Sequence, residues 1–267
     1  MNIKKSVIAV SVALTTMAAV PVFAAGFVNG GFDDGTTSGW TVGSGDRNGQ
    51  NFGTIDPAAY LGLNGGGPSG GNRSAVVTPG LDPVLGALMP NIVFGGTHAY
   101  RVEDAGVTGG WLSVISQTVQ NYTDPNIFFA WLAALDNGGH SAIQSAGMII
   151  TLRDLTANGG AGETIIDRRY NANPGGVDAR FLSAGSYFYT PQWQVEQLAI
   201  DASRSGHDFE LTVLATDCGP TGHSGYVYLD GFGAVAPPPG GTVPEPASLA
   251  LLGLGLAGLG FSRRKKS

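Results

Sequence analysis

The chain has very little cysteine and little charge. Cys218 is the single cysteine among 267 residues, and charged residues make up 13% of the sequence. One cysteine excludes an intramolecular disulfide, so the folded part must be held together by its core or by a metal ion. The chain is 43% hydrophobic and contains 43 glycines and 15 prolines. This composition predicts a globular protein with a sizeable core and many turns, and it excludes a collagen-like or disordered chain.

Lysine is absent from the central part of the chain. Residues 26–235 contain eight arginines and 19 acidic residues, a net charge of −11, whereas all four lysines lie in the two terminal segments. An acidic body of this kind lacks the basic surface that nucleic acid binding requires. We therefore expect no nucleic acid partner. We expect the acidic body to bind divalent cations more readily than polyanions such as nucleic acid.

The first 25 residues have the three parts of a secretory signal. Lys4 and Lys5 precede an apolar run over residues 7–20, and residues 22–25 (Val-Phe-Ala-Ala) offer the small side chains that signal peptidase needs. We predict that residues 1–25 form a signal helix that signal peptidase removes during export. A membrane anchor that is not cleaved is the alternative interpretation.

Residues 236–267 are organised as a linker and a tail. Residues 236–243 are rich in proline and glycine, cannot join a sheet, and end the folded body at residue 235. In the tail, residues 244–267, an uncharged run follows a Pro-Glu-Pro triplet and precedes four cations. The triplet is Pro244, Glu245 and Pro246, and the cations are Arg263, Arg264, Lys265 and Lys266.

The tail suits a marginal membrane segment. Its uncharged run over residues 247–261 is shorter than the roughly 20 residues that a helix needs to span a bilayer. The cations after it would stay in the cytoplasm and stop translocation. We predict a short hydrophobic helix that holds the chain at the inner membrane transiently. A plain tail anchor explains the run and the cations but leaves the Pro-Glu-Pro triplet without a role.

Pro244, Glu245 and Pro246, followed by the Leu/Gly/Ala run and the terminal cations, resemble the PEP-CTERM sorting signal of exported proteins in Gram-negative bacteria. The resemblance implies that an exosortase cuts the chain near the triplet. It also implies delivery to the cell surface or the extracellular matrix, in association with exopolysaccharide or biofilm. It covers only the tail and implies nothing direct about residues 26–235.

Short β-branched or aromatic segments, separated by clusters of Gly, Asn, Asp and Pro, predict a β protein. The predicted strands span residues 111–119, 127–135, 147–153, 209–216 and 226–230. A mostly period-2 pattern around Phe209, Leu211 and Val213 favours a strand buried on one face. Residues 81–94 suit either a loop or a short helix. We therefore predict one all-β domain over residues 26–235, an antiparallel β-sandwich or jelly roll with long glycine-rich loops.

Two local patterns resemble the galactose-binding-like jelly rolls found in many carbohydrate-binding modules. Residues 27–33 (Phe-Val-Asn-Gly-Gly-Phe-Asp), followed by Trp40, are similar to their opening strand, and residues 216–230 are similar to their closing hairpin and last strand. In that fold, acidic residues of the first and last strands often share a structural calcium ion, which implies Asp33 and Asp230 as ligands. The alternative interpretation is that Asp33 caps a turn and Asp230 hydrogen-bonds a loop.

No arrangement of catalytic residues stands out, so we predict no catalytic residue and a protein that is not an enzyme. The histidines form no His-Glu-x-x-His motif, and Glu103 and Asp104, as neighbours on a strand, should point to opposite faces. Cys218 and His223 are close enough in sequence to meet across a turn, but two ligands do not make a tetrahedral zinc site. A packed cysteine and a loop histidine are the simpler interpretation.

Aromatic residues point to a glycan site. Sugar sites use flat aromatic faces with a few polar groups. Trp40 and Trp131 lie in apolar surroundings and suit the core, whereas Trp193, Tyr187 and Tyr189 lie in a more polar segment. We predict that Trp193 stacks on a sugar, with the two tyrosines beside it.

The sequence thus predicts an exported, non-catalytic protein whose body binds envelope or extracellular polysaccharide. Two alternatives stay open. One is a structural or adhesive matrix protein without a sugar pocket, and the other is a secreted hydrolase.

Overall fold

The computed structural model describes residues 26–47, 49–63, 73–233 and 236. The predicted signal helix over residues 1–25, the linker from residue 237 onward and the tail lie outside this described part. No helix within the described residues is both long and apolar enough to cross a membrane.

Twelve strands account for most of the regular structure of the described residues. Their bounds are β1 (Thr41–Asp46), β2 (Ala75–Val77), β3 (Ala99–Val102), β4 (Trp111–Tyr122), β5 (Asn126–Asp136), β6 (Gly147–Asp154), β7 (Glu163–Asn171), β8 (Leu182–Ala184), β9 (Tyr187–Tyr189), β10 (Gln194–Ala199), β11 (His207–Thr216) and β12 (Gly225–Gly233). Short 3₁₀ turns form at Phe52–Thr54, Pro57–Tyr60, Ala157–Gly160 and Ala202–Arg204. The described residues contain no α-helix. The five predicted strands are confirmed as β4, β5, β6, β11 and β12.

The strands form two sheets in which the paired strands are antiparallel. Sheet A has the order β1-β4-β11-β6-β7. Sheet B has the order β2-β3-β12-β5-β9-β8, and β10 also pairs with β5. β9 pairs with the C-terminal half of β5, and β10 pairs with its N-terminal half. The segment 190–193 between β9 and β10 therefore leaves sheet B and returns to it. The predicted all-β sandwich is confirmed.

The main core lies between the two sheets. Trp131 on β5 is fully buried and Trp40 is 9% exposed, as their apolar surroundings predicted. Phe32 and Phe232 pack on Trp40, with ring centroids 5.3 and 4.7 Å from it. Aromatic side chains bury the largest apolar areas, so this cluster contributes a large share of the hydrophobic stabilisation.

Each outer face of the sandwich is covered by a loop. Residues 52–61, which we call outer layer A, place Phe52 and Ile55 on sheet A. Residues 82–94, which we call outer layer B, place Leu85 and Met89 on sheet B. Outer layer B is anchored by its buried Asp82, which accepts hydrogen bonds of 3.0 Å from the hydroxyls of Tyr226 and Tyr228. Most of the aliphatic and aromatic surface of the two sheets is therefore used for packing.

Outer layer A changes the burial of β11. The prediction that β11 is buried on one face is wrong, because Leu214, on the face opposite Val213, is also fully buried. Phe52, Ile55 and Tyr60 belong to the cluster that covers it. A strand covered on both faces needs apolar residues on both, which explains why its alternation is imperfect.

Two details of the predicted chain path are also wrong. Residues 27–33 form turns rather than a strand, because Asn29 and Phe32 adopt the left-handed φ angles of 51° and 57°. Residues 216–230 do not form a hairpin within one sheet, since β11 belongs to sheet A and β12 to sheet B. Residues 81–94 form a loop rather than a helix.

Three of the loops that join the two sheets lie together at one end of the sandwich, which we call the crossover end. They span residues 103–110, 137–146 and 217–224. Arg47 follows β1 at this end and is fully buried. Its guanidinium donates hydrogen bonds to five backbone carbonyls, those of Gln50 (3.0 Å), Ile143 (2.6 Å), Gln144 (3.1 Å), Ser145 (2.7 Å) and Asp217 (2.9 Å).

Arg47 thereby connects all three crossover loops. Its side chain reaches residues 137–146 and 217–224, and its backbone N–H donates to the carbonyl of Gly110 at 2.7 Å. Burial lowers the pKa of Arg47 to about 10, so the guanidinium keeps its charge at neutral pH. Only arginine offers five N–H donors in a rigid planar fork, which is why this position needs arginine rather than lysine.

Replacing Arg47 should destabilise the domain. In Arg47→Met, several buried carbonyls lose their charged donor, and we expect the free energy of unfolding to fall by about 4 kcal/mol. Arg47→Lys keeps the charge but not the fork, so we expect a smaller loss. Urea unfolding measures the loss of unfolding free energy in both variants. The control is the half-exposed Arg153→Met, which should change that free energy by about 1 kcal/mol or less. An unchanged unfolding midpoint in Arg47→Met would contradict this role.

Candidate functional site

A polar cavity of about 380 Å³ opens on the outer face of sheet A. It lies between outer layer A and the strands β6 and β7. Its polar lining residues are Thr54, Asp56, Thr151, Arg153, Thr164, Asp167 and Arg169. Hydroxyl, carboxylate and guanidinium groups thus surround one small volume, which gives it both hydrogen-bond donors and acceptors.

Arg169 shapes this cavity. Its Nε and Nη2 donate to the two carboxylate oxygens of Asp167, at 2.8 and 2.9 Å. Its Nη1 donates to the carbonyls of Phe52 (2.9 Å) and Ile55 (3.1 Å), which holds outer layer A against β7. The wall formed by Asp167 and Arg169 is therefore rigid. Arg153, by contrast, is half-buried and lies 3.7 Å from Glu210, beyond hydrogen-bond distance.

The predicted sugar-stacking residues lie beside outer layer B. Trp193 stands in the segment that leaves the sheet between β9 and β10, and its Nε1 donates to the carbonyl of Asn91 at 2.9 Å. Its ring meets Phe94 edge to face at 5.5 Å. Tyr187 is half-buried with its hydroxyl 3.1 Å from Ser224 Oγ, whereas Tyr189 is only 5% exposed. The three rings do not form one open platform, and only Trp193 and Tyr187 are half-exposed.

The structure brings Asp33 and Asp230 to the same place. A Cβ on Gly31 would lie 3.2 Å from Asp33 Oδ2 and 3.5 Å from Asp230 Oδ1, so the two carboxylates flank this glycine. Asp33 accepts hydrogen bonds from the backbone N–H groups of residues 97 and 98, and Asp230 accepts them from residues 94 and 95. Burial, together with the charge of Asp33, raises the pKa of Asp230 to about 7.

These contacts support the loop-capping interpretation of the two aspartates, and calcium binding stays a prediction. The carboxylates are suitable ligands for calcium, which prefers six to eight oxygen atoms. The N–H groups that now surround them are donors, so further oxygens would have to come from carbonyls or water. The pair therefore offers part of a calcium shell rather than a complete one.

A second acidic cluster lies at the crossover end. Arg73 contacts Glu103, donates to Asp104 Oδ1 at 2.6 Å and lies 3.8 Å from Asp217 Oδ2. The expectation that Glu103 and Asp104 point apart is wrong, because Glu103 follows the end of β3 with a φ of 64°. Glu103 and Asp217 are fully buried, and burial raises the pKa of Asp217 to about 9. Glu103 and Asp217 are therefore closed to solvent, whereas the side chain of Asp104 is 30% exposed.

A group of metal-ligating side chains forms beside this cluster. Cys218 Sγ lies 3.4 Å from His223 Nδ1, so the two side chains meet across the turn that separates them. His140, from the loop between β5 and β6, adds a third side chain. The ligand atoms of the three residues all lie within 4.8 Å of one another. Sequence reasoning missed His140 because it lies far from Cys218 in the chain, and the only signal was its position in the loop Asn-Gly-Gly-His.

Sequence comparison decides the identity of the tail. Residues 242–265 match the PEP-CTERM protein-sorting motif. The match confirms the predicted sorting signal, which indicates export, surface sorting and processing by an exosortase. The matched residues lie outside the described part of the chain. No curated protein matches the chain in sequence.

The sandwich is similar to several carbohydrate-binding modules of known structure. TmCBM61 in complex with β-1,4-galactotriose is 13% identical and has a TM-score of 0.38, over 78% of this chain and 95% of that one. CBM28, described as specific for non-crystalline cellulose, is 10% identical with a TM-score of 0.39, over 77% and 92%. The xylan-binding domain from CBM22 is 15% identical with a TM-score of 0.31, over 82% and 98%. Similarity at this level identifies no ligand for this chain.

Calcium should stabilise the chain if Asp33 and Asp230 bind it. At a calcium concentration 100 times the Kd, we expect the Tm to rise by about 5–10 °C, because the ion binds the folded state alone. Asp230→Asn should abolish most of this rise, whereas the exposed Asp178→Asn should retain it. Differential scanning calorimetry with and without EDTA makes the comparison. An equal rise in Asp230→Asn, or no rise in the unmodified chain, would contradict the predicted site.

Proposed function

We propose that this chain is an exported surface or matrix protein of a Gram-negative bacterium whose sandwich binds extracellular polysaccharide without cleaving it. The matched sorting motif supports export and surface sorting. The observation that carries the binding part of the proposal is the polar cavity beside outer layer A. Its position at the surface, next to the edge strand β7, leaves room for a long polymer to pass.

The chemistry of the cavity suits a neutral sugar. A sugar ring presents several hydroxyl groups, each of which both donates and accepts hydrogen bonds. The cavity offers carboxylates as acceptors, guanidinium groups as donors and three threonine hydroxyls that do either. The acidic body, with a net charge of −11, favours a neutral polymer over a polyanion because like charges repel.

The carboxylates of the cavity have positioning roles rather than the roles of a glycosidase pair. Asp167 accepts from Nε and Nη2 along one edge of the Arg169 guanidinium, and Asp56 accepts from the backbone N–H of residue 58 at 3.1 Å. A glycosidase needs one carboxylic acid and one carboxylate on opposite sides of the scissile bond. We therefore propose binding rather than hydrolysis.

Removing the donors of the cavity should weaken binding. The full chain should be retained in affinity electrophoresis by exopolysaccharide from the producing strain, with galactan, xylan and amorphous cellulose run for comparison. We expect Arg153→Ala combined with Thr164→Ala to lower the affinity for the polysaccharide at least tenfold. Each substitution removes a group that can form hydrogen bonds with sugar hydroxyls. Trp193→Ala, on the opposite face, should stay within twofold of the unmodified chain. Circular dichroism establishes that each variant is folded.

Two results would contradict the proposal. Loss of binding in Trp193→Ala alone would move the sugar site to outer layer B. Failure of the unmodified chain to bind any polysaccharide would instead favour a structural or adhesive matrix protein. Self-association of the chain would then be the property to measure.

A further inference from the structure

We propose that Cys218, His140 and His223 bind a thiophilic transition metal ion, and that zinc is the ion that this donor set suits best. The three side chains come from the two crossover loops 137–146 and 217–224, which Arg47 joins. One thiolate and two imidazoles are ligands that zinc accepts and that calcium and magnesium avoid.

The distances are close to those of a metal site. Tetrahedral zinc, with bonds of about 2.3 Å to sulfur and about 2.05 Å to nitrogen, requires a sulfur to nitrogen separation of about 3.6 Å. The separation between Cys218 Sγ and His223 Nδ1 is 3.4 Å. All three ligand atoms lie within 4.8 Å of one another, and the rings of His140 and His223 meet edge to face at 5.1 Å. Small side-chain rotations are enough to close the site around an ion.

His140 carries an unsatisfied polar atom. Its Nε2 is buried and has no hydrogen-bond partner. A buried polar atom without a partner destabilises the fold, so its retention requires an explanation. Coordination of a metal ion supplies the missing partner.

The backbone around the ligands is well fixed. The carbonyl of His140 accepts a hydrogen bond from Asn173 Nδ2 at 2.8 Å. The N–H of Cys218 donates to the carbonyl of His223 at 3.0 Å, and the N–H of residue 219 donates to the carbonyl of residue 144 at 2.8 Å. The bond between residues 219 and 144 ties the two loops together before any ion arrives, and the other two fix the backbone of each loop, which lowers the entropy lost on binding.

A glycine makes room for the second imidazole. A Cβ on Gly138 would lie only 2.1 Å from His223 Nδ1. Alanine at this position would push the His223 ring away from the loop that carries His140. Gly138 is therefore a positioning residue for this site.

Three protein ligands leave a fourth coordination position. His140 and His223 are half-buried, so solvent reaches the edge of the site while Cys218 stays fully buried. A water molecule is the simplest fourth ligand. In a chain that has one cysteine, the ion would take the place of a disulfide by cross-linking two loops, each of which joins sheet A to sheet B.

Metal titration of the full chain tests this site. After treatment with a chelator, the chain should bind one Zn²⁺ per molecule in competition with a chromophoric chelator. Co²⁺ should give the visible absorption of tetrahedral cobalt and a thiolate-to-metal charge-transfer band. Cys218→Ser should lose that band, and His140→Gln and Gly138→Ala should each lower the zinc affinity at least tenfold. His98→Gln, a half-buried histidine outside the group, is the matched control and should change nothing.

Several outcomes would overturn the proposal. One is the absence of stoichiometric zinc binding by the unmodified chain. Another is a cobalt complex without the thiolate band, and a third is equal zinc affinity in His140→Gln. Thermal unfolding separates a lost site from a lost fold, because Zn²⁺ should raise the Tm of the unmodified chain and leave that of a folded Cys218→Ser unchanged.

Discussion

The buried guanidinium of Arg47 is the interaction on which the crossover end depends. A buried charge is tolerated only when its hydrogen bonds are satisfied, and here five carbonyls satisfy it. Because those carbonyls belong to separate loops, the hydrogen bonds of one buried cation fix the relative position of loops that join the two sheets. The side chains that these loops carry, including Cys218 and His140, then lie close together without a disulfide.

The covered faces of the sandwich decide which surfaces remain for ligands. Outer layers A and B bury most of the aliphatic and aromatic residues that the sheets present outward. On the two outer faces, polar and aromatic groups that could contact a ligand therefore lie at the margins of these layers. The side chains at the margin of outer layer A are charged or carry hydroxyl groups, whereas those at the margin of outer layer B are aromatic.

Sequence patterns predicted the long central strands and the tail but not the parts formed by distant contacts. β4, β5 and β6 have dense β-branched and aromatic residues, so their local signal is strong. β1 contains two glycines and β7 is rich in charges, which hides them from pattern analysis. The meeting of Asp33 with Asp230 followed from a resemblance. The third metal ligand, His140, had no local partner and appeared only when the fold brought two loops together.

The crossover end is thus a preorganised unit that would hold a metal ion between two loops. Anomalous X-ray scattering from crystals grown with zinc tests this directly, because data on both sides of the zinc absorption edge locate the ion. We predict one strong peak within bonding distance of Cys218 Sγ and of imidazole nitrogens of His140 and His223, at about 2.0–2.3 Å. An anomalous map with no peak at these three side chains, in crystals that contain zinc elsewhere, would contradict the claim.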